Sequence, residues 1–281
     1  MDNDEKWDLI IKPAGSLNFN LKELLHYKFL MYLFVKRDFV TYYKQTILGP
    51  LWYIIQPLLT TLVFTVIFGN IAKIPTDGIP TTVFYLIGIT FWGLFSESMS
   101  STSNIFVTNA QIFGKVYFPR LTVPIARITS NYIKFFIQLV LFFGFYFYFL
   151  FFTQYMKPNL YLLFVPLICI QFSIIAFGIG IIISSLTTKY RDLQFVVTFG
   201  VQLWMYATPV IYPLSNIPSK WLWVFIINPI AYPMELLKYA FTGQGIVNFT
   251  YLGISFGTSI LLLIVGLFNF NKVEKDFMDR V

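Results

Sequence analysis

Apolar stretches separated by brief charged punctuation run through this chain, and their lengths predict helices that cross a membrane. No Asp, Glu, Lys or Arg falls between Lys44 and Lys73, Asp77 and Glu97, Lys134 and Lys157, Lys157 and Lys189, Asp192 and Lys220, or Lys238 and Lys272. A seventh gap, more polar, follows Glu97. A helix of about 20 apolar residues spans the ~30 Å hydrocarbon core, and most of these gaps reach that length. The pattern predicts six spans, at about 50–72, 83–105, 125–152, 160–187, 193–213 and 249–270. The second is the least apolar, because it carries Glu97 and the run Ser98-Met-Ser-Ser-Thr-Ser-Asn104.

Three segments outside the spans have patterns of their own. Over 20–46, Leu21, Leu24, Leu25, Phe29 and Leu33 recur at spacings of three and four among Lys22, Glu23, Lys28, Lys36 and Arg37. That periodicity predicts an amphipathic helix lying in the membrane interface. The loop at 106–124 has helix-like apolar content ended by Pro119. Residues 214–247 are too apolar for a free loop and too broken, by Pro218, Pro229 and Pro233, to span. They read as short re-entrant helices at the outer face, a form tolerated in a membrane only when packed against protein. The fold class is therefore all-α integral membrane: six transmembrane helices, an N-terminal interface helix and external re-entrant helices. Residues 1–19 and 273–281 are expected to be tails on one side, and no role is derived for the acidic start.

Charge supplies the orientation. Six spans put both termini on one side. Seven Lys and Arg precede residue 50 there, three lie in 106–127 (Lys115, Arg120, Arg127), two in 188–192 and three at the C-terminus. The other side carries Lys73, Lys157, Lys220 and Lys238. Positive residues concentrate on the cytoplasmic side, so both termini are expected in the cytoplasm. The net charge of +7 is spread over loops and forms no basic stripe, which argues against a nucleic-acid partner. The acidic N-terminus has no early apolar run, so no cleavable signal peptide is expected.

The chemistry of catalysis is missing from the sequence. It has no phosphate-binding G-x-x-x-x-G-K-[ST] loop, no Gly-rich dinucleotide fingerprint and no Cys/His metal spacing. His26 is the only histidine and Cys169 the only cysteine, in an apolar run that suits a small buried residue. The chain is expected to be a non-enzyme binding no cofactor; if its transport is energised by ATP, a second polypeptide must supply the site for ATP and Mg. Charges inside the apolar regions are few: Glu97, Lys134, and Glu235 with Lys238 in the external segment. A proton- or ion-coupled carrier usually needs acidic groups near the midplane, and only Glu97 qualifies. The competing reading of Glu97 is a structural carboxylate paired to a basic group or facing a watery vestibule. A membrane glycosyltransferase would need an acidic pair in a sizeable loop, and no loop has one.

Aromatic residues make up 20% of the chain, more than interfacial belts and lipid-facing runs such as Phe142 to Phe149 account for. Trp52, Tyr53, Phe91, Trp92, Phe95, Trp204, Tyr206 and Tyr212 lie in spans beside small or polar neighbours. Aromatic faces stack on the C–H faces of sugar rings, so these eight are candidates for lining a glycan channel. Packing or a belt is the alternative for each. Gly253 and Gly257 form a G-x-x-x-G pair, and Gly178 and Gly180 lie close together; both patterns suit close helix contact.

The stretch Tyr43-Lys-Gln-Thr-Ile-Leu-Gly-Pro-Leu-Trp52, continuing to Leu59, resembles the membrane subunit of ABC-2 type polysaccharide exporters of O-antigen, capsule and teichoic acid. Further resemblance lies in Asn109 to Arg120, in Lys189-Tyr-Arg-Asp192, in Ala207-Thr-Pro-Val-Ile-Tyr-Pro213 and in Asn228-Pro229, in the expected order over roughly 20–272. The resemblance implies a homodimer in the bacterial cytoplasmic (inner) membrane, with two copies of an ATPase subunit below and an undecaprenyl-linked polysaccharide as substrate. It implies that the interface helix acts as a gate. It also implies that 109–118 couples to the ATPase, with Asn109, Ile112, Phe113, Lys115 and Tyr117 as contact candidates. Arg37, Lys44, Arg120 and Arg191 become candidates for a basic cytoplasmic entrance that draws in an anionic lipid head. A related drug- or lipid-exporting permease is the alternative within the same layout.

Overall fold

The computed structural model describes residues 21–44, 47–113, 115, 118–153, 156–187, 189–190 and 192–277, and these are helical throughout their regular elements. The N-terminal helix comes in two pieces, α1 (Leu21–His26) and α2 (Lys28–Lys44), joined at Tyr27. Leu25, Phe29 and Leu33 point away from the protein, whereas Leu30, Met31, Phe34 and Val35 pack against it. With apolar residues on two faces, the helix can rest on protein and present an oily side to its surroundings at once.

A 3-10 turn at Gly49–Leu51 opens the first apolar helix, and Gly49 takes a φ of 51° that favours glycine. Then follow α3 (Trp52–Phe64), whose last turns widen into a π-helix over Thr65–Ile71, and α4 (Thr81–Ser103). Two single turns, α5 (Ile105–Thr108) and α6 (Ala110–Phe113), break at Asn109 and precede α7 (Thr122–Phe152). A 3-10 turn at Leu160–Phe164 leads into α8 (Val165–Thr187), and α9 (Leu193–Tyr206) follows. The chain closes with α10 (Leu222–Ile227), α11 (Ala231–Thr242) and α12 (Phe249–Phe277).

Among the described residues, five helical stretches are long and apolar enough to cross a bilayer: Gly49–Ile71, Thr81–Ser103, Thr122–Phe152, Leu160–Thr187 and Phe249–Lys272. The expected span at 193–213 is helical for only 14 residues. At 1.5 Å per residue that is about 21 Å, short of the hydrocarbon core. Proline explains the early stop. Pro209 cannot donate a helical bond, and the chain from Ala207 to Pro213 turns irregularly instead.

The centre of the fold is α4 against α8, with α7 and α12 flanking. Gly178 and Gly266 bring α8 and α12 together so closely that a Cβ built on Gly178 would lie 2.6 Å from the Leu262 carbonyl oxygen. Gly180 faces α4, where a Cβ would come within 2.6 Å of Thr102. Small residues permit this approach, as is usual where lipid supplies no hydrophobic drive between helices. Gly253 and Gly257, by contrast, face open space, so the G-x-x-x-G pair joins nothing among the described residues. Interhelical hydrogen bonds add to these contacts: Gln171 donates to Ser255 (2.7 Å) and Ser259 (3.1 Å), and Ser173 donates to the Tyr132 hydroxyl (2.8 Å). Cys169 is buried, as expected.

Candidate functional site

A polar seam runs between α4 and α7. The two helices are antiparallel, and residues that face each other keep a nearly constant register. Gly93 lies opposite Gln138, Glu97 opposite Lys134, and Ser101 opposite Asn131. Lys134 Nζ makes an ion pair with Glu97 Oε1, and its ammonium stands 5.2 Å from the centre of the Tyr53 ring on α3. The Asn131 amide donates to Ser98 (3.3 Å) and Ser101 (3.0 Å). Glu97 is therefore paired to a basic group, the structural alternative foreseen for it. Yet the side chain of Glu97 keeps 35% of its surface uncovered and that of Lys134 keeps 15%.

Below the seam, α2 docks on the start of α7. Asp38 receives Arg127 at 3.0 Å and Arg37 at 3.0 Å, and the Arg37 guanidinium lies 4.9 Å from the Phe34 ring centre. An aromatic cluster continues the contact. Phe34 meets Phe118 (5.8 Å between ring centres), Phe118 meets Phe113 (5.7 Å), Phe113 meets Phe106 (5.8 Å), and Phe106 stacks on Phe270 of α12 (5.1 Å). The segment proposed from the resemblance for coupling is thus tied by its rings to the N-terminal helix.

At the other end, α10 and α11 hold the irregular stretch after α9. Asn228 uses its whole carboxamide. Its oxygen accepts from Trp204 Nε1 (3.1 Å) and the Ile230 amide (3.0 Å), and its nitrogen donates to the Ala207 carbonyl (2.8 Å) and the Thr208 hydroxyl (3.0 Å). Lys238 has no exposed side-chain surface. It donates to the Pro209 carbonyl (2.6 Å), sits 3.6 Å from Glu235 and lies 3.7 Å from the Phe84 ring centre. The sequence signal for this site is the Glu235 and Lys238 pair, three residues apart in an otherwise apolar helix. The Asn228-Pro229 pair was noted only through the resemblance, and its work is mechanical.

The structure sorts the aromatic candidates. Trp52 and Tyr206 are well exposed, Trp204 and Tyr212 half-buried, and Tyr53 buried beside Lys134. Phe91 and Phe95 are wholly covered within this one chain and Trp92 nearly so, which corrects their assignment to a channel wall. Phe91 contacts Phe135, Phe142 and Phe241, and Phe95 contacts Trp92 and Trp204. These three rings fill the core because α4 is the central helix and has neighbours on nearly every side. Among the entrance candidates, Arg37 is half-exposed but paired, Lys44 is exposed, and Arg120 is buried, so it offers little to an entrance. Arg191 lies outside the described residues. In the coupling segment Lys115 is exposed and Ile112 half-buried, while Asn109 and Phe113 turn into the protein and support the segment from beneath. Tyr117 lies outside the described residues. No group of three or more His, Cys, Asp or Glu that could hold a metal occurs among the described residues.

Over residues 30–242 the chain matches the family described as ABC-2 type transporter. It is 32% identical over 265 residues to an O-antigen export system permease protein RfbA of Klebsiella pneumoniae, covering 94% of this chain and 99% of that protein. A second RfbA of the same organism matches to the same extent. An O-antigen export system permease protein RfbA of Myxococcus xanthus is 26% identical over 201 residues, 71% of this chain and 74% of its own. With five bilayer-length helices and a match over most of its length, the chain belongs to the ABC-2 type transporter membrane family.

Proposed function

We propose that this chain is the channel-forming membrane subunit of an ATP-driven exporter that moves a lipid-linked polysaccharide, O-antigen or a similar surface glycan, across the bacterial cytoplasmic membrane. The end-to-end similarity to O-antigen export permeases carries the reading, since it covers 94% of this chain and 99% of the relative. The chain lacks nucleotide-binding motifs, so ATP and Mg belong to a separate ATPase subunit. Two copies of this chain pair around the path, with two ATPase subunits on the cytoplasmic side. The sixth crossing is made by α9 together with the buried irregular stretch from Thr208 to Ile211. Non-helical backbone at such depth is tolerated where protein surrounds it and satisfies its polar groups, as Asn228 and Lys238 do here. The termini lie in the cytoplasm, α1 and α2 rest in the inner interface as a gate, and α10 with α11 close the outer end.

Deletion of the gene, with complementation and fractionation of the cells, tests the proposal. The expected result is undecaprenyl-linked polymer retained in the cytoplasm and a surface bare of glycan. An unchanged surface glycan would redirect attention to drug or lipid export by the same architecture.

A further inference from the structure

Resting on the glycan-export reading, we propose that the Glu97–Lys134 pair, flanked by Asn131 and Tyr53, is a hydrogen-bonding station for the hydroxyls of the passing sugar chain. Depth is the first argument. Glu97 lies 16 residues along α4 from Thr81, about 24 Å from that end at 1.5 Å per residue. In a core of ~30 Å the pair sits within the inner part of the membrane, not in a headgroup layer.

Exposure is the second. Even when paired, ionisable groups inside a span almost always face the bundle interior or a watery cavity and not acyl chains, and this carboxylate leaves a third of its side chain uncovered. The uncovered side of this pair therefore faces water or a polar ligand. It marks which side of the protomer lines an aqueous path.

The nature of the groups gives the ligand class. Glu97 and Lys134 neutralise each other, so the site has no net charge with which to hold a phosphate. The ammonium has three N–H donors and the carboxylate about four acceptor positions, far more than their mutual contact uses. Neighbouring Asn131 and Ser101 add amide and hydroxyl groups, and the Tyr53 ring lies beside the ammonium. A neutral chain whose every unit both donates and accepts hydrogen bonds matches this set. An apolar drug or an acyl chain does not.

Cysteine accessibility in the assembled transporter, with its ATPase, tests the assignment. Cys169 is the only cysteine and is buried, so C169A gives a clean background. E97C, and S101C one turn along the same seam with the ion pair intact, are treated with a charged, membrane-impermeant thiosulfonate in inside-out vesicles. F136C, exposed on the opposite side of α7, is the comparison. Both seam positions should react at least about tenfold faster than position 136, because the charged reagent is excluded from lipid. Reaction at S101C should slow severalfold when an ATPase-inactive partner traps the cells' own lipid-linked polymer. S101C has its own control, so the test survives if E97C does not assemble. Equal, slow reaction at the seam and at position 136 would overturn the path. Fast reaction unaffected by trapped polymer would overturn the sugar contact. Either failure, alongside a bare cell surface in the deletion strain, would leave the export reading standing.

Discussion

A lysine with no exposed surface, one helical turn from an equally hidden glutamate, survives only if its partners are complete. Lys238 has the Pro209 and Tyr212 carbonyls, the Glu235 carboxylate and the face of Phe84. Removing either charge leaves the other buried, but not with equal company. In K238M the carboxylate keeps the Leu214 and Ile246 backbone amides but no cation, and breaking a buried pair from one side costs about 3–5 kcal/mol. In E235Q the ammonium retains two carbonyls and an aromatic face. Thermal unfolding in detergent should therefore show K238M much less stable than E235Q, and K238M should accumulate poorly in the membrane. Equal melting temperatures for the two would show that the carbonyls and the ring do not suffice and that the carboxylate carries the lysine.

Among the elements, α8 is where small residues decide the architecture. A methyl group at Gly178 or Gly266 would meet backbone rather than a movable side chain, so G178A and G266A must push α8 and α12 apart. Overpacking of this kind costs typically 1–3 kcal/mol and should lower the melting temperature by several degrees. G253A and G257A, with open space before them, should leave the isolated protomer's stability unchanged. The contrast shows what could be read from the chain and what could not. Charge-free gaps located five long helices to within a few residues, because lipid tolerates few alternatives. The gap between Asp192 and Lys220 looked the same but hides a break, since composition does not register that Pro209 ends the helix while Asn228 and Lys238 replace its bonds. Rotation was equally hidden. In α4 apolar residues occur on every face, so no periodicity separates Phe91 and Phe95, which are core, from Glu97, which is uncovered. The pairing of Glu97 was foreseeable in kind, and the antiparallel register that selects Lys134 was not.

At the scale of the molecule, the end that carries α2, α5 and α6 is one continuous apolar assembly. From α2 through the short turns of α5 and α6 to α12, Phe34, Phe118, Phe113, Phe106 and Phe270 touch in sequence. A push on the loop bearing Lys115 therefore reaches α2 through rings that cannot compress, because protein interiors are close-packed. Shortening a ring loosens that linkage without emptying the site as an alanine would. F34L and F118L should let the assembled transporter hydrolyse ATP at near-normal rates while export falls severalfold. ATPase activity and surface polymer measured on the same preparation check this. Parallel loss of both activities would indicate that the cluster serves assembly alone.

The central position of α4 has a consequence for how the protein is made. It is the least apolar of the five long helices and the most enclosed, and what encloses it is α7 and α8, which are synthesised later. When α4 first leaves the ribosome, Glu97 has no Lys134, Ser98 has no Asn131, and Thr102 has no Gly180 beside it. Left with only α3 and lipid beside it, such a segment is poorly retained. Nascent chains cut short before residue 122 should therefore hold α4 loosely, and chains extended past 153 should hold it firmly. The helix on which the finished fold is centred is the one that must wait for the rest of the chain before it belongs to the membrane.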